Sequence, residues 1–317
     1  MIFPGNVFNK EIKIDLNPAW VLLSVNVLIF AFIQLFFGET IKSYKSDVYQ
    51  NKISKLADMY KQTLDPLELK KFDESNTFAI VRDAKFWSRS QTFPFKGDQI
   101  KIAEARLFLA ELKSDYYNSP QYIFGLSPAP TSVWAWLTYQ FLHTNFFHLT
   151  MNMIFLFLIV AVLQKKIDPD WIYSVYVFSG LGGGYAYLMM NEFNEIAVVG
   201  ASGAICGLMS FMSVAFYSKN IEWSYFLAPF KGFYGIIYMP AFIVFPVYLV
   251  SDFTTILSYE FGLQSSVAHS AHIGGTLVGF VLGVLYLFDQ RFKKNILTKW
   301  GHHLSLAQYS ELRDRVK

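Results

Sequence analysis

Six stretches of this chain run for about twenty residues or more without a charged side chain, and that leaves few folds open to it. A hydrocarbon core of ~30 Å takes about 20 apolar residues of helix at ~1.5 Å rise each. The stretches are Pro18–Phe37, Phe141–Leu163, Trp171–Met190, Ile196–Ser218, Gly232–Ser251 and a segment within Phe261–Phe288. They predict an all-α polytopic membrane protein with six transmembrane helices. The first is too long for a removable signal peptide and lacks a small-residue cleavage site. Charge is partitioned accordingly: eleven charged residues in the 155 between Trp134 and Phe288, but 26 in the 95 between Glu39 and Val133. Roughly 25% is ordinary for a soluble chain, so a membrane-like body carries one long soluble-like loop insertion between spans one and two.

The chain divides into a cytoplasmic segment 1–17, a first helix 18–37, an extracytoplasmic cap 38–133, a core 134–288 with spans two to six, and a basic tail 289–317. This organisation excludes a disordered chain, a nucleic-acid-binding module and a simple two-domain cytosolic enzyme. The single cysteine, Cys206, excludes an intrachain disulfide and a cysteine-based zinc site. A net charge of +3 gives no reason to expect a polyanionic partner. Within the cap, Gln99–Tyr116 places Ile102, Leu109 and Leu112 near one helical face, and a charged helical stretch runs from Asn51 toward Lys71 with a break at Pro66.

Short loops set the orientation. Lys165 and Lys166 follow span two, Lys219 and Lys231 follow span four, and seven bases follow span six. The loops after spans three and five carry Glu192, Glu195 and Glu260 but no base. Both termini of this multi-pass membrane protein are therefore expected in the cytoplasm.

Polar residues inside a membrane are costly and mark function by default. Here they gather. Span two opens with His143, His148 and Asn152, span four with Gly200-Ala201-Ser202-Gly203, and span six with His269 and His272. All three spans run from outside to inside, so these residues share one level that water can reach from outside. A serine hydroxyl needs a base to accept its proton, and a neutral imidazole suits that task. The tetrahedral intermediate needs donors for its oxyanion. His148 and Asn152, at i and i+4, face one way, and the Ser202 amide near a helix start adds a third. Singly, each residue has an ordinary explanation: a serine bonding its own helix, an interfacial histidine packing, glycines letting helices approach. Gly275, Gly279 and Gly283 are read as packing. Only the coincidence at one depth points to acyl transfer.

Three separated motifs resemble the rhomboid intramembrane serine proteases: His143-x4-His148-x3-Asn152, Gly200-Ala201-Ser202-Gly203 and Ala271-His272-Ile273-Gly274-Gly275-x3-Gly279. The resemblance, to the bacterial type with a six-span core, covers about Gln121–Phe288. It implies a compact six-helix bundle with a Ser–His dyad and no acidic third member. Ser202 would be nucleophile, His272 general base, and His148, Asn152 and the Ser202 amide the oxyanion hole. His143, Gly200 and Gly203 would be structural. The sequence departs from the family at Trp134-Ala135, where Trp-Arg is common, and at Cys206, where an aromatic often stands; the cap is also longer than in the compact bacterial form. His269 has no motif counterpart and reads as a helix-start polar residue. Asp252 is left out of the site.

The implied activity is an endopeptidase cleaving single-span membrane proteins in or near their transmembrane segment, favouring substrates with helix-breaking residues and a small residue before the cut, with the lipid bilayer as surroundings and no cofactor or metal. Competing readings are a metal-dependent membrane hydrolase using His143, His148, His269 and His272, a non-catalytic binder of membrane proteins, and a transporter. No HExxH motif supports the first, a binder has no need of all four groups, and the spans hold no deep carboxylates or bases for the last.

Overall fold

The computed structural model describes residues 2–4, 17–44, 47–62, 64, 86, 98–128, 132–190, 197–226, 234–243 and 269–300. In chain order these form β1 (Ile2–Pro4), α1 (Pro18–Tyr44), α2 (Asp47–Lys61), α3 (Gln99–Tyr117), α4 (Pro120–Phe124), α5 (Ala135–Thr138), a 3-10 turn (Tyr139–Phe141), α6 (Phe146–Leu163), α7 (Pro169–Met190), α8 (Ser202–Ala215), β2 (Asn220–Phe226), β3 (Tyr234–Pro240), a 3-10 turn (Ala241–Ile243) and α9 (His269–Trp300).

The helix starts are written locally. Asn17 precedes Pro18, and its Oδ1 accepts from the Trp20 amide at 3.0 Å, so an N-cap and a proline at the first helical position open α1. Asn145 does the same for α6, accepting from the His148 amide at 2.8 Å. That cap sets the phase of α6, and with it the direction of His148 and Asn152.

Among the described residues, three helices are long and apolar enough to cross a membrane, over Pro18–Gly38, Phe146–Leu163 and His269–Phe292. α7 has the length, but its tyrosines and glycines lower its mean hydropathy. Leu35 on α1 is 79% exposed, with Leu28 and Phe36 exposed beside it. Such a face suits lipid and would be a liability in water.

α8 is the centre of the bundle. Twelve of its fourteen residues are buried, packed among α6, α7 and α9. Glycines permit the approach. A Cβ on Gly275 would lie 2.0 Å from the Gly203 carbonyl oxygen, and one on Gly279 would lie 2.0 Å from that of Gly207. Backbone thus meets backbone along the α8–α9 seam, as in small-residue helix packing. Gly279→Val should accordingly push α8 and α9 apart. Overpacking costs about 1–3 kcal/mol where side chains can adjust, and here the obstacle is main chain. The expected result is a loss of at least about 3 kcal/mol, read as a collapse of the thermal melt in detergent.

Two span expectations are corrected. The fourth, Ile196–Ser218, contains a helix only from Ser202 to Ala215, because Ala197–Gly200 is non-helical and pairs at Val198 with Leu126. The fifth, Gly232–Ser251, begins as a strand: β3 runs antiparallel to β2 with Ile221 opposite Met239 and Trp223 opposite Ile237. β1 pairs on the other edge of β2, giving the order β1-β2-β3. The physical reason is that apolarity alone was counted, whereas Ile, Tyr and Trp favour a pleated strand. Residues 244–251 lie outside the described residues, as do Asp252 and the start expected for span six before His269.

Within the expected cap, the described residues form a small core of their own. α2 and α3 enclose Phe86, with Ile53, Leu56, Tyr60, Leu109 and Leu112 buried around it. The Lys52–Glu111 pair across them, 3.3 Å apart and half exposed, adds little. The expected helix Gln99–Tyr116 is present with one further residue. The charged helix expected from Asn51 occupies Asp47–Lys61; residues 65–71 lie outside the described residues.

Candidate active site

Ser202 is the first residue of α8, and His272 lies one turn into α9. Their side chains meet: Ser202 Oγ and His272 Nε2 are 2.8 Å apart across 70 residues of sequence. In the tautomer with its proton on Nδ1, the imidazole accepts the serine hydroxyl proton at this distance. His272 is buried, and Ser202 is half-buried.

The glycine before the serine governs the opposite wall. Gly200 has φ +132°, a conformation that side-chain-bearing residues rarely adopt. A Cβ there would also fall 3.0 Å from both Cε1 and Nε2 of His148, and 3.9 Å from Asn152 Nδ2. Glycine is required twice, once by the backbone angle and once by the imidazole against it. His148 and Asn152 therefore face the turn that leads into Ser202. Asn152 Nδ2 donates one hydrogen to the His148 carbonyl at 3.1 Å, which leaves its second amide hydrogen for another acceptor. His148 Nδ1 lies 3.3 Å from Thr144 Oγ1. Because Ser202 is in the first turn of α8, its backbone N–H has no partner within the helix.

His143 is buried with its ring centroid 5.0 Å from that of His148, edge to face. His269 is the first residue of α9, its ring 5.8 Å from that of His272. The four histidines thus form two pairs, and among the described residues no group of three or more His, Cys, Asp or Glu is arranged to hold a metal ion. Gly203 lies under α9, where its added Cβ would meet the Ala271 carbonyl at 3.1 Å. Ala135 is buried with Leu126, Tyr139, Tyr187, Val198 and Ala271, so apolar packing occupies the place where an arginine is common in the family. Cys206 is buried one turn below Ser202.

Sequence reasoning overlooked the support of the non-helical stretch before the serine. The Gly200 amide donates to the Tyr139 carbonyl at 2.9 Å, and Val198 exchanges two backbone hydrogen bonds with Leu126, at 2.8 and 3.1 Å. The Tyr139 hydroxyl in turn donates to the Gly180 carbonyl on α7. Non-helical backbone at membrane depth persists only where protein satisfies it, and here it does. Ser119-Pro120 with Gly125 was a readable helix-start and stop signal for the elbow that carries Leu126.

Residues 130–288, half of the chain, match the family model of the Rhomboid domain. The chain belongs to the rhomboid family. RHOMBOID-like protein 5 of Arabidopsis thaliana is 30% identical over 160 residues, covering 50% of this chain and 46% of that protein. The rhomboid protease AarA of Providencia stuartii is 26% identical over 170 residues, 49% of this chain and 56% of that protein. The rhomboid protease GlpG of Serratia proteamaculans (strain 568) is 24% identical over 152 residues, 47% of each. The chain spans about half the length of these curated relatives. A rhomboid domain together with helices able to cross a bilayer makes this an integral membrane protein. The rhomboid match takes in α5 to β3 and most of α9, and so every motif residue named above; the α2–α3 cap lies before it.

Proposed function

We propose that this rhomboid-family chain is an intramembrane serine endopeptidase in which Ser202 attacks the scissile carbonyl and His272 is the general base. The observation that carries the reading is the 2.8 Å approach of Ser202 Oγ to His272 Nε2, on two helices that close glycine contacts hold together. As Oγ bonds to the carbonyl carbon, its proton passes to His272 Nε2 and then to the leaving amine; water hydrolyses the acyl-enzyme in a second, equivalent round. His148, the free hydrogen of Asn152 and the Ser202 amide are assigned to the oxyanion, and no cofactor is needed. His143, Gly200 and Gly203 shape the site without reacting.

The substrate class is a single-span membrane protein whose helix unwinds locally, since a helical peptide bond is hydrogen-bonded and sterically covered. The reading includes a six-span bundle with the 38–133 cap on the outer side and both termini on the cytoplasmic side of a bacterial inner membrane. Pairing of β1 with β2 supports one part of it, because residues 2–4 and the loop after α8 must then share a side. The test is cleavage of a single-span reporter by the full chain in liposomes, with the product ends mapped. Cleavage that a serine-directed phosphonate stops and a chelator leaves intact is the expected result; chelator-sensitive cleavage, or none, overturns the reading.

His148→Ala and Asn152→Ala should lower kcat unequally while the protein still accumulates. Loss of one oxyanion donor costs ~10²–10³ in rate, and remaining donors compensate in part. An unchanged kcat in the double variant would move the oxyanion hole elsewhere.

A further inference from the structure

The stretch Ala197–Gly200 delivers Ser202 to the site, and the chain before α5 grips it at three successive residues. The Ala197 amide donates to the Tyr116 hydroxyl at 2.8 Å. Val198 pairs with Leu126 through both of its backbone groups. Gly125 faces Ala197 and Val199 so closely that an added Cβ would lie 3.0 and 2.9 Å from their side chains. Tyr116 is the penultimate residue of α3, the helix that forms the cap's core with α2 and Phe86.

The hydroxyl is held in place by its own surroundings. The Tyr116 ring packs against Tyr122 of α4 at 5.4 Å and Tyr117 at 6.0 Å, and Tyr117 and Tyr122 meet at 4.6 Å. Ser119 locks the elbow between the two helices. Its Oγ donates to the Tyr116 carbonyl at 2.6 Å and accepts from the Tyr122 amide at 3.3 Å. A tyrosine fixed at both ring and main chain thus presents its hydroxyl oxygen to the stretch that leads into the serine.

We propose that Tyr116 is a positioning residue for Ser202, through which the folded cap holds the Ala197–Gly200 stretch in its reactive register. This rests on the assignment of Ser202 as nucleophile. The cap is then a working part of the site, and a shift of α3 changes the alignment of the serine. The chemistry has reason to be sensitive, because a displacement of ~1 Å in a reacting group can cost ~10²-fold in rate.

The test uses the full-length protein with Tyr116→Phe, which keeps the ring cluster and removes only the acceptor oxygen. Two readouts separate positioning from general loosening. Loss of one neutral hydrogen bond corresponds to a factor of about 5–10, so kcat and the rate of phosphonate acylation at Ser202 should fall by about that factor while KM stays unchanged. Backbone hydrogen exchange at Ala197 should rise about tenfold, without a comparable rise along α8. Wild-type acylation and kcat in Tyr116→Phe overturn the proposal, as does a matching rise of KM with no change in kcat. If the wild-type chain is not labelled at Ser202, the protease assignment falls and with it the positioning role, while unchanged exchange at Ala197 would remove the tether itself.

Discussion

Ser202→Ala should abolish covalent labelling by a serine-directed phosphonate and lower proteolysis by roughly 10⁴-fold or more, the scale set by removing a nucleophile outright. The protein should still fold. Replacing the hydroxyl removes the 2.8 Å contact with His272, a net loss of about 1 kcal/mol, while the α8–α9 glycine seam is untouched. Peptide mapping of the wild-type adduct sharpens the result, because α8 holds other serines. Ser210 and Ser213 lie on the same helix but are buried, and Ser213 donates to the Met209 and Ala241 carbonyls at 3.0 and 2.9 Å. Ser202 differs in being half open and in facing an imidazole. An adduct on either buried serine, or labelling of Ser202→Ala at the wild-type rate, would remove Ser202 as nucleophile.

The polar layer was legible because its signals are local. Residues four apart on a helix share a face, so His148 and Asn152 could be paired from spacing alone, and the contact of Ser202 on α8 with His272 on α9 agrees with the shared level expected of their motifs. The helix Gln99–Tyr117 was likewise visible in its apolar spacing; the structure adds the cap at its start, Asp98, whose side chain accepts from the Ile100 amide. What remained hidden depends on distant partners. Nothing near Val198 announces Leu126, 72 residues earlier, and the apolar stretch Ile196–Ser218 conceals a non-helical segment that only this pairing stabilises. The β2–β3 hairpin was missed for a related reason: a charge-free run satisfies a hydropathy count whether its backbone is helix or strand. Gly200 lies between these cases. Its identity was noted as part of a small-residue motif, but the need for it comes from a positive φ and from His148, arriving from another helix.

His272→Ala should reduce kcat/KM by about 10²–10⁴-fold, the usual contribution of a positioned general base. The reason is the proton's path. His272 Nε2 lies 2.8 Å from Ser202 Oγ and receives its proton only if that nitrogen carries none, so the reacting ring has its own proton on Nδ1. Removing the ring removes the acceptor, and leaves a residue of activity from the oxyanion donors. Two alternatives give different results. If His272 only packed against Ser202, His272→Gln, which refills much of the space without a basic nitrogen, would recover most of the rate. If His148 were the base, His148→Ala would cost the larger factor and His272→Ala the smaller. The measurement is kcat/KM in liposomes for the wild type and the three variants on one single-span reporter. A His272→Gln variant at the wild-type rate would end the assignment of His272 as base, while the rhomboid fold and its glycine seam would stand unaffected.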